Sequence, residues 1–211
     1  PYRFRNLDHA VNVLNGNIGD ELSKREIEKT GVYIFGWVYM GFRQCTFTKV
    51  PVRTPADMKG MKFRPPPMPL MMDIFKAMGA RPTPVNFGEL YLALRQGVVE
   101  GTEGPLDVLT TTNMCEVQKY LVLTGHSFTA NFAHMNAKLW QSLTPETQKV
   151  WIDTWKEVSE EARRQVIDKE REYLSFWKSK GVTVIEPDLK PFRDSTKDVW
   201  KGFLTEPGEK E

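Results

Sequence analysis

Between residues 59 and 107, three short apolar or β-branched runs each stop at a polar or aromatic residue, and a signal for the start of a helix follows each time. The runs occupy 61–64, 81–85 and 98–102. Strands that alternate with helices in this way predict βαβ units in a mostly parallel sheet. Ligands of such sheets bind just beyond the carboxyl ends of the strands. The three junctions therefore predict a single candidate site.

Two of the junctions also predict how their helices begin. Asn86, with Glu89 three residues later, predicts a capping box for a helix over 90–95. Pro105 suits the first position of a helix. Gly104, directly before it, would leave backbone N–H groups open at a helix start, which is a natural binding position for an anion.

The longest predicted element is a helix from Pro145 to about Lys180, with Thr144 suited to cap it and Gly181 to end it. A helix of roughly 35 residues is about 50 Å long, because each residue adds about 1.5 Å. Such a rod is longer than a small domain is wide, so it either spans two lobes or braces them. The same patterns predict further strands over 32–40, 42–47, 120–128, 131–136 and 182–185, and further helices over 7–14, 18–27, 70–78, 110–118 and 195–204.

Composition excludes several classes of function. The net charge of +2 implies no nucleic-acid partner, and no apolar run approaches the roughly 20 residues that span a bilayer. Cys45 and Cys115 lack metal-ligand spacing and are expected to be free thiols, and His9, His126 and His134 form no zinc pattern. The sequence shows no phosphate-binding glycine loop, nucleophile elbow or metal-binding helix, so no catalytic residue, metal or cofactor is predicted.

Two arginines are the first candidates for a binding site. Arg64 ends the first of the three runs and is followed by three prolines, which fix its backbone. An arginine at a strand end either pairs with a structural carboxylate or holds the carboxylate of a ligand through two parallel hydrogen bonds. Arg43 adds a second cation at a polar position of the strand predicted over 42–47.

Three more residues complete the candidate set together with Gly104. Phe87 follows the predicted cap and is either a core residue or one wall of a pocket. Glu103 is either a structural acid near a helix start, where negative charge is favoured, or a partner of one of the arginines. Trp37 lies in an apolar run, where an aromatic residue belongs more often to a core than to a ligand site.

The segments PADMKGMKFRPPP, MGARPTPVNFGELYLALRQGVVEGTEGPL and EVQKYLVLTGH closely resemble, in order and spacing, the dicarboxylate-type receptors of tripartite ATP-independent periplasmic (TRAP) transporters. The resemblance extends in weaker form over essentially the whole chain. It implies a two-lobed α/β fold like that of periplasmic binding proteins, with mixed sheets flanked by helices and a long helix spanning both lobes. A non-catalytic receptor of this kind closes on a small organic acid and delivers it to a TRAP membrane permease.

The resemblance also assigns roles to single residues. It implies that Arg64 grips the ligand carboxylate, that Arg43 is a second arginine of the pocket, and that Phe87 is the pocket aromatic. The family commonly has Gln-Glu-Asn-Pro where this chain has Thr-Glu-Gly-Pro at 102–105. The asparagine that would bond the ligand is therefore Gly104 here, so either a backbone N–H replaces it or the ligand has another shape.

The resemblance divides the chain into lobe one, over 1–41 and 130–169, and lobe two, over 42–129 and 170–211, which carries the main ligand-anchoring arginine. Family members have an additional N-terminal stretch that supplies the first strands of lobe one. Lobe one is therefore expected to be incomplete in this chain. The chain is either truncated, cut by proteolysis, or completed by a separate N-terminal fragment. A periplasmic location is implied, although this chain contains no signal peptide.

Two other interpretations remain open from the residues. One is an enzyme acting on small organic acids, with Arg64 as substrate clamp and Glu103 or Glu89 as the acid–base group. The other is a sensor module that binds the same acids and partners a signalling receptor.

Overall fold

Strand β1 (Val32–Phe47) and helix α7 (Pro145–Ser179) are the two elements that contribute residues to both structural units of the chain. The structure, a computed structural model, describes residues 1–203. Unit 1 contains residues 1–3, 42–127 and the described residues from 171 onward, and unit 2 contains residues 4–41 and 128–170. The assignment of these units as the lobes of a receptor stays a prediction.

Unit 1 is built on a mixed sheet. The end of β1 is joined by five further strands: β2 (Lys62–Arg64), β3 (Arg81–Pro82), β4 (Gly101–Pro105), β5 (Tyr120–Val122) and β7 (Thr183–Ile185). Their order across the sheet is β3-β2-β4-β1-β5-β7. β2 pairs in parallel with β3 and β4, as the three junctions predict, and β5 pairs in parallel with β7. β1 runs antiparallel to both β4 and β5. The α/β class with a mixed sheet is therefore confirmed, whereas a mostly parallel sheet is too simple a description.

Helices flank this sheet and give it a core on each face. They are α3 (Pro69–Ala77), α4 (Leu90–Arg95), α5 (Leu106–Thr111), α8 (Lys190–Thr196) and the end of α7. Leu121 and Val122 of β5 belong to different apolar clusters, because successive side chains of a strand point to opposite faces. Trp177 of α7 is completely buried in the cluster that contains Leu121 and donates a hydrogen bond to Thr110 Oγ1 at 2.8 Å. Truncating a core tryptophan typically costs about 3–5 kcal/mol, so α7 is anchored firmly in this unit.

Two of the predicted junctions are corrected by the structure. β4 continues to Pro105 because residues 43–47 of β1 pair with it, so α5 begins only at Leu106. Gly104 therefore lies in a strand, so its predicted position at a helix start is wrong, and its role in binding an anion stays a prediction. The capping box at Asn86 is also wrong, because this side chain makes no cap hydrogen bond and a 3₁₀ turn (Phe87–Glu89) precedes α4.

Two predicted helices are shorter or lie elsewhere. The run 110–118 is interrupted, because α5 ends at Thr111 and a separate 3₁₀ turn covers Met114–Glu116. The run 195–204 contains only the end of α8 and a 3₁₀ turn (Val199–Phe203), and Leu204 lies outside the described residues.

Unit 2 contains α1 (Leu7–Leu14), α2 (Asn17–Thr30), most of β1, β6 (Phe128–Asn136), α6 (Ala137–Ser142) and the first part of α7. β6 pairs with β1, and the runs predicted as separate strands over 32–40 and 42–47 are one strand that passes through Gly41 at φ +83°. A Cβ on Gly36 would lie 1.8 Å from Cδ1 of Trp155, so the indole packs directly on the backbone of β1.

Helix α7 agrees with its predicted limits. It begins at Pro145, with the Thr144 hydroxyl accepting a hydrogen bond from the Thr147 N–H at 3.3 Å, and it ends at Ser179, two residues before Gly181 at φ +78°. Within residues 1–203, no helix combines the length and the apolar character that a membrane crossing needs.

Candidate functional site

Arg64 occupies the last position of β2, and its backbone is held on both sides. Its carbonyl oxygen accepts a hydrogen bond from the Thr102 hydroxyl of β4 at 2.9 Å, and Pro65 follows it. The side chain is 5% exposed, its Nε donates to the Val85 carbonyl at 3.0 Å, and its guanidinium carbon lies 5.8 Å from the centre of the Phe87 ring. These contacts orient the guanidinium and leave its remaining N–H donors for another partner.

No side chain within residues 1–203 forms an ion pair with Arg64, and the only hydrogen bond of its guanidinium there is the one to the Val85 carbonyl. Burying a cation without an anion costs several kcal/mol, and arginine does not lose its proton in proteins. Burial is the largest influence on the pKa of Arg64 and lowers it, Glu103 raises it, and Arg43 lowers it. A buried guanidinium with open donors is suited to bind the carboxylate of a ligand through its planar fork.

Arg43 has a different environment, because it forms a two-pronged ion pair with Glu103. Nε of Arg43 lies 2.5 Å from Oε2 of Glu103, and Nη2 lies 2.7 Å from Oε1. The Glu103 side chain is completely buried and that of Arg43 is 16% exposed. The two residues belong to the antiparallel pair β1 and β4, in which Cys45 lies opposite Glu103. The charge of Arg43 is therefore already balanced within the protein.

A third partner, His126, binds the other side of the same carboxylate. Its Nε2 lies 3.1 Å from Oε2 of Glu103, and its Nδ1 lies 2.8 Å from the hydroxyl of Thr124. A carboxylate only accepts hydrogen bonds, so Nε2 of His126 carries the proton that is donated to Glu103. In the neutral imidazole Nδ1 is then the acceptor, and Thr124 donates to it. Each hydrogen bond that links Thr124, His126, Glu103 and Arg43 thus has one donor and one acceptor.

The ionisation of this chain follows from its surroundings. Burial by itself raises the pKa of Glu103, but the hydrogen bonds from His126 and Arg43 outweigh it and hold that pKa below its ordinary value. Burial lowers the pKa of His126 by more than the neighbouring Glu103 carboxylate raises it. The thiol of Cys45, 3.8 Å from His126 Nδ1, has a raised pKa because it is completely buried. Glu103 is therefore charged, and His126 and Cys45 are neutral.

The remaining predicted site residues are placed separately. Gly104 of β4 lies where a Cβ would be 4.0 Å from Arg43 Nη2, and Phe87 is 51% exposed. Trp37 belongs to unit 2, where its ring packs edge-on against Phe132 at 6.0 Å. The structure thus brings five of the six candidates together in unit 1, and the role of each in ligand binding stays a prediction.

His126 and Thr124 are parts of this cluster that the sequence does not single out. The sequence shows only that His126 belongs to no zinc pattern, and no local pattern connects it with Glu103, 23 residues earlier, or with Arg43. An open cavity of about 470 Å³ in unit 1 is lined by Val85, Asn86 and other residues of this rim but not by Arg64, so it lies beside the arginine site. Within residues 1–203, no group of three or more His, Cys, Asp or Glu is arranged to hold a metal ion.

An α/β unit that presents, at the carboxyl ends of parallel strands, a buried arginine without an anionic partner among residues 1–203 has the character of a binding module for acids. The profile of the DctP family, described as "Bacterial extracellular solute-binding protein, family 7", matches residues 1–206. The chain belongs to this family, and the resemblance read from the sequence is confirmed.

Two curated relatives show the extent of the similarity. The chain is 33% identical to the 2,3-diketo-L-gulonate-binding periplasmic protein YiaO of Escherichia coli over 92% of its length and 60% of that protein. It is 31% identical to the sialic acid-binding periplasmic protein SiaP of Vibrio cholerae over 96% of its length and 63% of that protein. The chain therefore spans somewhat over half the length of these relatives.

Two solved structures of TRAP periplasmic solute-binding proteins are similar in fold. The protein from Roseobacter denitrificans with bound L-galactonate has a TM-score of 0.88 and 32% identity, over 98% of this chain and 68% of that one. The protein from Polaromonas with bound D-erythronate has a TM-score of 0.88 and 33% identity, over 96% of this chain and 67% of that one. The predicted likeness to periplasmic binding proteins is thereby confirmed at the level of the fold.

Proposed function

We propose that this protein is an extracytoplasmic, periplasmic solute-binding protein that captures a small organic acid by lobe closure and delivers it to a TRAP membrane permease. The observation that carries the proposal is the buried guanidinium of Arg64, which has no anionic partner within residues 1–203. Relatives named for a diketo-gulonate or for sialic acid, and structures holding galactonate or erythronate, support an organic acid as the ligand.

In this proposal Arg64 is the main anchor, and the other five predicted residues surround or adjust it. Phe87 forms one wall, because its ring lies beside the Arg64 guanidinium. Arg43 adds positive potential, and its ion pair with Glu103 holds its guanidinium in place. Gly104 leaves space beside Arg43. Trp37 is kept as a further ligand contact on the sequence alone. The protein binds its ligand reversibly and does not convert it, as the family's description as solute-binding proteins favours.

The proposal is tested by isothermal titration of the protein with a panel of aldonic, uronic and C4 acids. Arg64→Ala is expected to weaken the binding of the preferred acid by at least about 30-fold, because a ligand charge loses its buried partner. Arg64→Lys is expected to weaken it as well, because one ammonium group cannot reproduce the two-pronged contact.

Arg81→Ala is the matched control, because Arg81 is an exposed arginine on the neighbouring strand β3. This variant should bind like the parent. Equal affinity of the parent and Arg64→Ala for every acid of the panel would remove the proposal. Chemical conversion of an incubated acid, followed by mass spectrometry, would favour the enzyme instead.

A further inference from the structure

Unit 1 contains a further open cavity, of about 550 Å³, that shares no lining residue with the arginine cluster. It lies where β1 ends and where β4 and β5 begin, because Phe47, the last residue of β1, is paired with Gly101 and with Tyr120. Arg64, in contrast, lies at the carboxyl end of β2, which runs parallel to β4. The cavity is lined by Thr48, Tyr91, Leu94, Arg95, Glu116 and Val117. All six belong to unit 1, so the cavity is formed within one structural unit.

Two opposite charges border this cavity without pairing with each other. Arg95 is exposed in the last turn of α4, and its side chain forms no ion pair or hydrogen bond within residues 1–203. Glu116 is also exposed, and its Oε2 accepts a hydrogen bond from the Tyr91 hydroxyl at 2.6 Å. Tyr91 and Arg95 are one turn apart on α4 and therefore project from the same side of the helix. Tyr91 thus holds the carboxylate in place, while Oε1 of Glu116 and the guanidinium of Arg95 stay open to a ligand.

The rest of the lining combines an apolar surface with a polar group behind it. Leu94 is 1% exposed, and Val117 is half-buried. Gln118 is 2% exposed, and its Nε2 donates to the Thr48 hydroxyl and to the Val117 carbonyl, each at 3.1 Å. Its Oε1 is buried and accepts no hydrogen bond from any residue that the structure describes. A buried acceptor without a donor is unfavourable, so this amide is suited to accept from a ligand that enters beside Thr48 and Val117.

We propose that this cavity is a second binding site, for a small zwitterion with an apolar side chain, such as an α-amino acid of the leucine type. The carboxylate of this ligand pairs with Arg95, its ammonium group binds the open oxygen of Glu116, and its side chain covers Leu94 and Val117. Small-molecule sites of about 300–1,000 Å³ commonly join an apolar floor to a few polar groups in this way. The proposed site is additional to the organic-acid site and does not depend on it.

The two charges determine which ligands this cavity accepts. An anion without an ammonium group would bind Arg95 but meet the Glu116 carboxylate, and a cation without a carboxylate would meet Arg95. Because like charges in one cavity repel, the pair selects a molecule that carries both charges. Exposed ion pairs are individually weak, so the affinity rests on the two pairs together with the apolar contact.

The decisive measurement compares L-leucine with two molecules that each lack one of its charges. At pH 7, 4-methylpentanoate keeps the carboxylate and 3-methylbutylamine keeps the ammonium group. Titration of the ¹⁵N-labelled protein, followed by NMR, gives each dissociation constant and shows which backbone amides respond. L-leucine is expected to bind at least about fivefold more tightly than either molecule and to shift the amides around Tyr91, Arg95 and Glu116. Equal or tighter binding of either half-ligand, or no binding of L-leucine, would overturn the inference.

Arg95→Gln and Glu116→Gln test the two charges one at a time. Each is expected to weaken L-leucine by about fivefold, and each should bring L-leucine closer to the half-ligand that keeps the other pair. Arg81→Gln and Glu186→Gln are the matched controls, because they make the same chemical changes at exposed residues of unit 1 that do not line the cavity. Both controls should bind L-leucine like the parent. An unchanged affinity in both Arg95→Gln and Glu116→Gln would contradict the assigned contacts.

Binding of L-leucine at Arg64 gives a different result, because its carboxylate could also pair with that arginine. The amide shifts would then appear around Arg64, Arg64→Ala would abolish binding, and Arg95→Gln would not change it. That result would overturn this inference and leave the proposed function standing. Conversely, L-leucine that binds through Arg95 and Glu116 in a protein that binds no organic acid would remove only the proposed function.

Discussion

Glu103 and His126 share a hydrogen bond of 3.1 Å in which both side chains are completely buried. The bond joins a carboxylate on β4 to an imidazole that follows β5, so it crosses β1, which lies between these strands. Because the pKa of each group is below its ordinary value in the folded protein, the unfolded chain takes up protons more readily as the pH falls.

This relationship predicts an acid-sensitive stability. His126 is neutral in the folded protein, so its contribution is complete above the ordinary histidine pKa of 6.5 and is lost as the pH falls below it. The free energy of unfolding of the parent should fall between pH 7 and pH 5 with a slope of up to about 1.4 kcal/mol per pH unit from this group. Glu103 should extend the decline below its ordinary pKa of 4.5. Urea unfolding at a series of pH values measures the slope.

His126→Gln separates this effect from a general loss of stability. A glutamine amide can donate to Glu103 and accept from Thr124 but cannot take up a proton in this pH range. The variant should have a flatter profile between pH 7 and pH 5, whereas His134→Gln, which changes an exposed histidine of unit 2, should keep the parental slope. A parental slope in His126→Gln would show that other groups cause the acid sensitivity.

A second prediction concerns the contact between Gly36 and Trp155 in unit 2. Gly36→Ala places a methyl group 1.8 Å from Cδ1 and 1.9 Å from Nε1 of the indole, so the ring must move. Overpacking of this kind should lower the free energy of unfolding by about 1–3 kcal/mol, measured by thermal or urea unfolding. Gly88→Ala is the control, since no atom lies within 4 Å of the added group. Trp155→Leu should recover part of the loss in Gly36→Ala, and an additive effect of the two changes would count against the clash.

A third prediction concerns Gly104, where the family commonly has asparagine. A Cβ at this position would lie 3.5 Å from the Leu109 side chain, which is an ordinary contact, so Gly104→Asn should change the free energy of unfolding by less than about 1 kcal/mol. The added amide lies next to Arg43 and should strengthen the binding of an acid with an oxygen in its reach by roughly fivefold. Gly104→Ala fills the same space without a hydrogen-bonding group and should not show the gain. The measurement is the ratio of the dissociation constants of the two variants for the same acid. Equal constants for Gly104→Asn and Gly104→Ala would contradict the prediction.

The elements that the sequence predicts well are those defined by neighbouring residues. Helix α7 keeps its limits because Thr144, Pro145 and Gly181 mark its ends within the chain itself. The end of β2 at Arg64 is likewise marked by the prolines that follow.

The features that the sequence does not predict depend on distant partners. Glu103 and Gly104 carry the local signs of a helix start, but residues 43–47, which lie about 60 positions earlier, draw them into a strand. The bonds that join Arg43, Glu103 and His126 likewise depend on strand register, which local spacing does not reveal. Sequence alone could name both arginines as candidates, but it could not show that Arg43 has an anionic partner among residues 1–203 and that Arg64 has none there.

The place of Trp177 in unit 1 has a consequence for how the protein is made. Trp177 is completely buried in the same cluster as Leu109 and Leu121, and β7 pairs with β5 only through residues 183–185. When the chain emerges from the ribosome, Arg43, Arg64, Glu103 and His126 are all synthesised before Trp177 and β7, which complete the core. Unit 1 can close its core only after synthesis has passed through all of unit 2, so a polypeptide arrested between Gly104 and Trp177 carries every predicted binding residue on an unfinished scaffold.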